Sequence, residues 1–141
     1  MEKDNIIDIL LETPYWVIDI LPKQVPADSS GQYFKIEDYY LKEPQIDVLN
    51  RRFSNLLLKL NCYEHISVFH SSGEWIDNPP PETLVQWLVK RKPLYVLLKS
   101  ASAMIAIDGN EHYMTLYNSN EELLELVRAL ADSEGLFVWK P

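Results

Sequence analysis

The sequence predicts one α+β domain over residues 1–141, a mainly antiparallel sheet of five or six strands with three main helices packed largely on one face. Three observations predict it. Three segments repeat apolar residues at helical spacing. Short runs rich in β-branched and aromatic residues lie between them. Consecutive runs are joined by turns that only antiparallel pairing can use, which argues against a doubly wound parallel sheet.

Residues 5–12 read as a short helix or helical turn, broken at Thr13-Pro14 because proline pushes its predecessor out of the helical region. Residues 15–21 read as a strand, ended by Pro22 and Pro26. Residues 22–43 show no sustained periodicity, although 36–41 can form one helical turn. Pro44 suits the first position of a helix. After it Ile46, Leu49, Phe53, Leu56, Leu57 and Leu60 recur at helical spacing, the clearest amphipathic pattern in the chain. A strand over 65–70, a Ser71-Ser72-Gly73 turn and a return strand over 74–76 follow. Pro79-Pro80-Pro81 precedes a second helix over 82–91, and Pro93 stops it. The apolar run 94–99 reads as a central strand covered on both faces.

Strands over 104–107 and 112–117 flank Asp108-Gly109-Asn110, a strong hairpin signal. Ser119 followed three residues later by Glu122 predicts a capping box. Leu123, Val127 and Leu130 form the stripe of a third helix, Gly135 stops it, and 136–139 return as a strand.

Cys62 is the only cysteine, so no internal disulfide framework exists, and a reducing, cytoplasmic setting is expected. No basic-then-apolar leader pattern opens the sequence, and the longest apolar run falls far short of the ~20 residues a membrane helix needs. No membrane association is expected. The formal net charge is −8. Phosphate backbones are bound through Lys and Arg, so no nucleic-acid binding is expected, whereas a basic protein partner is compatible with this charge.

The four glycines, Gly31, Gly73, Gly109 and Gly135, cannot spell a GxGxxG fingerprint or a P-loop, so neither dinucleotide nor nucleotide chemistry is expected and no cofactor is assigned. Cys62, His65 and His70, with His112 as a distant fourth, lack the paired spacing of zinc ligands, so no metal site is assigned. Cys62 with His65 or His112 could form a nucleophile–base pair, but no motif surrounds it, and a buried, inert thiol is the simpler reading. Asp19 interrupts an otherwise apolar strand. Pointing inward it would be an acid or base; alternation places it with Tyr15, Val17 and Leu21, where it would meet water instead. The water-facing reading is preferred, and no catalytic residue is assigned. Lys90, Arg91 and Lys92 fall in the last turn of the second helix, where cations offset its dipole.

The segment 22–43 has the best claim to function, because long irregular connections are uncommon inside compact domains. The candidate partner-binding residues are Tyr33, Glu37, Asp38, Tyr39 and Tyr40, with Trp75 and Asp77 as a second exposed group. The competing reading folds Phe34, Tyr39 and Tyr40 back as a plug on one end of the sheet. The leading expectation is a noncatalytic interaction domain, of inhibitor or adaptor type, for a basic protein. The rival is a small enzyme or small-ligand binder with its pocket between the sheet and the 22–43 loop. A homodimer through the last strand is a third.

Overall fold

Side-chain alternation decides which way each strand faces, and here it divides the molecule into two unequal layers. In the computed structural model, which describes residues 2–28, 31–70, 73–108 and 110–141 (side chains from residue 5), seven strands form one antiparallel sheet. They are β1 (Tyr15–Asp19), β2 (Ile66–Phe69), β3 (Trp75–Asp77), β4 (Leu94–Leu98), β5 (Ala103–Ile107), β6 (Tyr113–Tyr117) and β7 (Phe137–Trp139). Their spatial order is β3-β2-β4-β5-β6-β1-β7. The helices are α1 (Glu2–Leu11), α2 (Gln32–Tyr40), α3 (Gln45–Asn61), α4 (Pro81–Val89) and α5 (Glu121–Ser133).

Among the described residues the α+β, antiparallel expectation holds, with seven strands in place of five or six and five helices: the three main ones, the short one expected over 5–12, and α2. The largest departure is α2, where a mostly irregular connection was expected. It begins after Gly31, whose φ of +82° suits glycine, and it buries no residue. Apolar side chains are scattered around it, so it has no one-sided stripe for a periodicity argument to detect. Ser29, Ser30, Ser71, Ser72 and Gly109, which belong to the expected 22–43 loop and to two expected turns, lie outside the described residues.

One sheet face carries the main core. Ile18 of β1, Val96 and Leu98 of β4, Ile105 of β5 and Met114 and Leu116 of β6 pack on it with Leu56, Leu57 and Leu60 of α3, Leu84 of α4 and Val127 of α5. Each fully buried side chain of this size contributes about 1.5–3 kcal/mol. Helices α3, α4 and α5 are the three the periodicity predicted. The alternate residues point the other way, and α1 covers only the middle of that second face, seating Ile7 and Leu10 against Leu97 and Met104.

Two details of α5 differ in kind. The expected capping box does not form: Asn120, not Ser119, caps the helix, its Oδ1 accepting from Leu123 N–H at 2.8 Å, and Leu123 at the third position has no polar side chain to return the bond. Ser119 is turned away, its hydroxyl donating to the Asn120 carbonyl. At the other end Gly135, at φ +73°, donates to Asp132 O, and Leu136 N–H donates to Ala131 O at 2.8 Å. That is the paired closure of a Schellman motif, with Leu136 buried behind it. Among the described residues no helix is long and apolar enough to cross a membrane.

Candidate functional site

Helix α1 reaches the β6, β1 and β7 end of the second face only through Leu11, which borders Tyr15 and Tyr117, and the connection after β1 covers more of it. Strand register brings three rows of side chains to it. Tyr15 pairs with Tyr117, Val17 with Thr115 and Trp139, and Asp19 with Tyr113. The chain leaving β1 (Leu21, then Lys23 to Ala27) and the start of α2 (Tyr33, Phe34) bound a cleft over these rows, with Glu111 on its rim. Its volume is about 620 Å³, within the ~300–1,000 Å³ usual for small-molecule sites. Its lining combines six aromatic rings, those of Tyr15, Tyr33, Phe34, Tyr113, Tyr117 and Trp139, with carboxylates and hydroxyls.

Asp19 is the structural centre of this end. It is 2% exposed, so the water-facing reading of its alternation is overturned. Its face is indeed that of Tyr15 and Val17, but the connection after β1 and α2 close over that face. Asp19 Oδ1 accepts from the Ile20 N–H and from His112 Nδ1, each at 2.7 Å. His112, 1% exposed, lies just before β6. An acceptor at Nδ1 fixes the imidazole with its proton there. Nε2 then faces the Tyr33 hydroxyl at 2.7 Å and Glu37 Oε2 at 3.2 Å. With neutral His112, the phenol donates to Nε2; with the imidazolium, Nε2–H donates to the acidic side. The result is a continuous chain, Asp19–His112–Tyr33, in which His112 joins β1 and α2 from 93 and 79 residues away.

The chain's electrostatics follow from burial beside negative charge. Burial lowers the His112 pKa, but the hydrogen bond to Asp19 and the charges of Asp19 and Glu37 outweigh it, so the net shift is upward from the ordinary value. Burial and the neighbouring charges of Glu37 and Asp19 push the Tyr33 phenol up to about 12. Burial and a hydrogen bond to Glu111 also raise Tyr113, whose hydroxyl donates to that carboxylate. Both phenols are therefore protonated donors at neutral pH. Trp139 adds an indole N–H that is buried without an acceptor among the described residues.

Comparison with protein-family models, curated proteins and solved structures yields no match.

The residues singled out from sequence divide between this cleft and the outer surface. Tyr33 lines the cleft and Glu37 reaches its histidine. Asp38 is exposed and pairs with Lys42 at 2.7 Å along α2. Phe34, Tyr39 and Tyr40 are 67%, 54% and 38% exposed, so they do not plug the sheet. Trp75 packs on Phe69 with ring centroids 5.1 Å apart, beside the α1 cluster. Asp77 accepts from Ser67 at 2.7 Å and pairs with Lys99 at 3.3 Å.

Cys62 is exposed rather than buried, because it caps the C-terminal end of α3 beyond the last core position. His65 is bonded to Asn78 and His70 stacks on Trp87, centroids 4.4 Å apart. No group of metal-ligand side chains forms among the described residues. Lys90, Arg91 and Lys92 lie just past α4, which ends at Val89, because Arg91 takes a left-handed φ of 57°.

Sequence reasoning did not pair Asp19 with His112, 93 residues away. The available signal was a single acid interrupting an apolar strand. No local pattern marks His112 as its partner, nor Thr115, Tyr117 and Trp139 as lining of the cleft.

Proposed function

We propose that this protein binds a small organic ligand in the cleft on the second face of the sheet. The single observation that carries the reading is the convergence of a cleft of about 620 Å³ with the hydrogen-bonded Asp19–His112–Tyr33 chain, whose Asp19 and Tyr33 line it. Buried polar groups in an aromatic-walled concavity are the usual makings of a ligand site. Tyr33 and Tyr113, whose O–H protons are held by His112 and Glu111, offer their hydroxyl oxygens as acceptors, with Val17 and Thr115 as the floor and the aromatic rings as walls. Asp19 and His112 position the Tyr33 hydroxyl.

The test is a thermal-shift screen of small metabolite-like compounds on the wild type and on Thr115→Trp. Thr115 is partly exposed at the cleft floor, so an indole there fills the space while the strand keeps its pairing. Compounds that raise the Tm of the wild type are expected to lose that effect in Thr115→Trp. A screen whose stabilising compounds act equally on both proteins, or that yields none, contradicts the reading.

A second reading rests on α2, which presents exposed Phe34 and Tyr39 beside exposed Asp38. Those groups suit contact with a basic protein. It predicts salt-sensitive binding of such a partner that Tyr39→Ala with Tyr40→Ala abolishes without lowering Tm. Unchanged binding in that variant counts against it.

A further inference from the structure

The class of ligand can be narrowed, and this step rests on the proposed cleft. Both hydrogen bonds made to Asp19 end on Oδ1. Oδ2 takes none from the described residues, although the side chain is almost wholly buried and borders the cleft. Oδ2 is not among the fully buried, partnerless atoms, so it opens to the cleft. A carboxylate oxygen facing an aromatic-walled cleft favours a donor there, and a charged donor makes the stronger bond. Glu111 adds a second carboxylate to the rim and Glu37 a third beside His112, whereas among the described residues Lys23 is the one cation in the lining. An anionic ligand meets net repulsion. The walls are aromatic rings, whose faces attract cations, and the Tyr33 and Tyr113 phenols stay protonated at neutral pH, so they present neutral rings and hydroxyls.

We propose that the cleft takes an organic cation, an amine or quaternary ammonium group seated against Asp19 between the aromatic walls. A free amine and a lysine side chain of a peptide share this chemistry. His112 enters as a regulator: the groups facing it are Asp19, Glu37, Tyr33 and Tyr113, and its protonation offsets the negative field that draws the cation. Cation binding therefore strengthens as pH rises through the titration of His112, and by reciprocity the bound cation makes His112 easier to deprotonate.

The experiment is a titration of the methyl-labelled protein followed at Val17, Val25 and Thr115. The probes are choline, its neutral isostere 3,3-dimethylbutan-1-ol, the peptide Gly-Lys-Gly and methyl β-glucoside. Choline or the peptide, whichever carries the better-fitting cation, is expected to shift these methyls, and their relative affinities tell the two sources apart. The neutral alcohol is expected to bind about tenfold more weakly than choline. Glu111→Gln is expected to weaken cation binding several-fold and leave the alcohol unchanged; it removes a rim charge without touching the buried pair, so it reports even where Asp19→Asn does not fold. If the alcohol or the glucoside moves these methyls as strongly as the cations, the cation inference fails while the cleft stands. If none of the probes moves them and the screen's stabilising compounds do not either, both fail.

Discussion

Replacing His112 with leucine removes one imidazole of nearly the same size and leaves Asp19 behind. The side chains of the pair are 2% and 4% exposed, and the bond between them is 2.7 Å long. Removing one partner of a buried charged pair costs about 3–5 kcal/mol, because the remaining charge is stranded. Asp19 keeps the Ile20 N–H and borders the cleft, so the lower end applies, about 3 kcal/mol. With a urea m-value of about 2 kcal/mol/M, the unfolding midpoint falls by about 1.5 M. The corresponding drop in Tm is about 10 °C.

The sign of the pH dependence follows from the raised pKa of His112. Its contribution is fully present below the unfolded value of about 6.5 and is lost as pH rises through the higher folded value. The loss caused by His112→Leu is thus larger at pH 6 than at pH 9. Adding Asp19→Asn to His112→Leu removes the stranded charge and is expected to recover about 1 kcal/mol or more. Urea unfolding of the four proteins of this cycle measures all three quantities. A single variant within about 0.5 kcal/mol of wild type, or strictly additive effects, refutes the account of the pair.

Asn120→Ala is expected to cost about 1 kcal/mol and Ser119→Ala only a few tenths, since Asn120 alone caps α5; urea midpoints of the two variants decide it. Gly135→Ala forces a Cβ into the left-handed region at φ +73°, 3.4 Å from Arg52 Nη1, and is expected to lower stability by about 1–2 kcal/mol in the same assay. Tyr33→Phe keeps the ring in place and removes the hydroxyl that meets His112. It is expected to cost about 1 kcal/mol and to move the NMR-detected titration of His112, whereas Tyr39→Phe, at an exposed position, moves neither.

How much was legible depends on whether a feature writes a local pattern. Helix α3 was plain because Ile46, Leu49, Phe53, Leu56, Leu57 and Leu60 all face one core. The strands were plain because their alternation answers to two faces of different composition. Helix α2 was not, since it buries nothing and leaves no stripe. The cap moved from Ser119 to Asn120 because two good capping residues stand side by side, and only backbone geometry chooses between them.

Half of the site was visible. Asp19 stood out as an acid in an apolar strand, and Tyr33 belonged to the flagged segment. Their connection through His112 was not visible, because it depends on the pairing of β1 with β6 and on where α2 comes to rest. Alternation gave the face of Asp19 correctly, and the closure of that face by the chain after β1 decided its burial.

The most direct test of the central claim is a crystal structure with the strongest stabilising compound from the screen. The account predicts ligand density over Val17 and Thr115, with a polar atom within hydrogen-bond distance of Asp19 Oδ2 or the Tyr33 hydroxyl. Density on the outer surface of α2 instead, with the cleft empty, would contradict it.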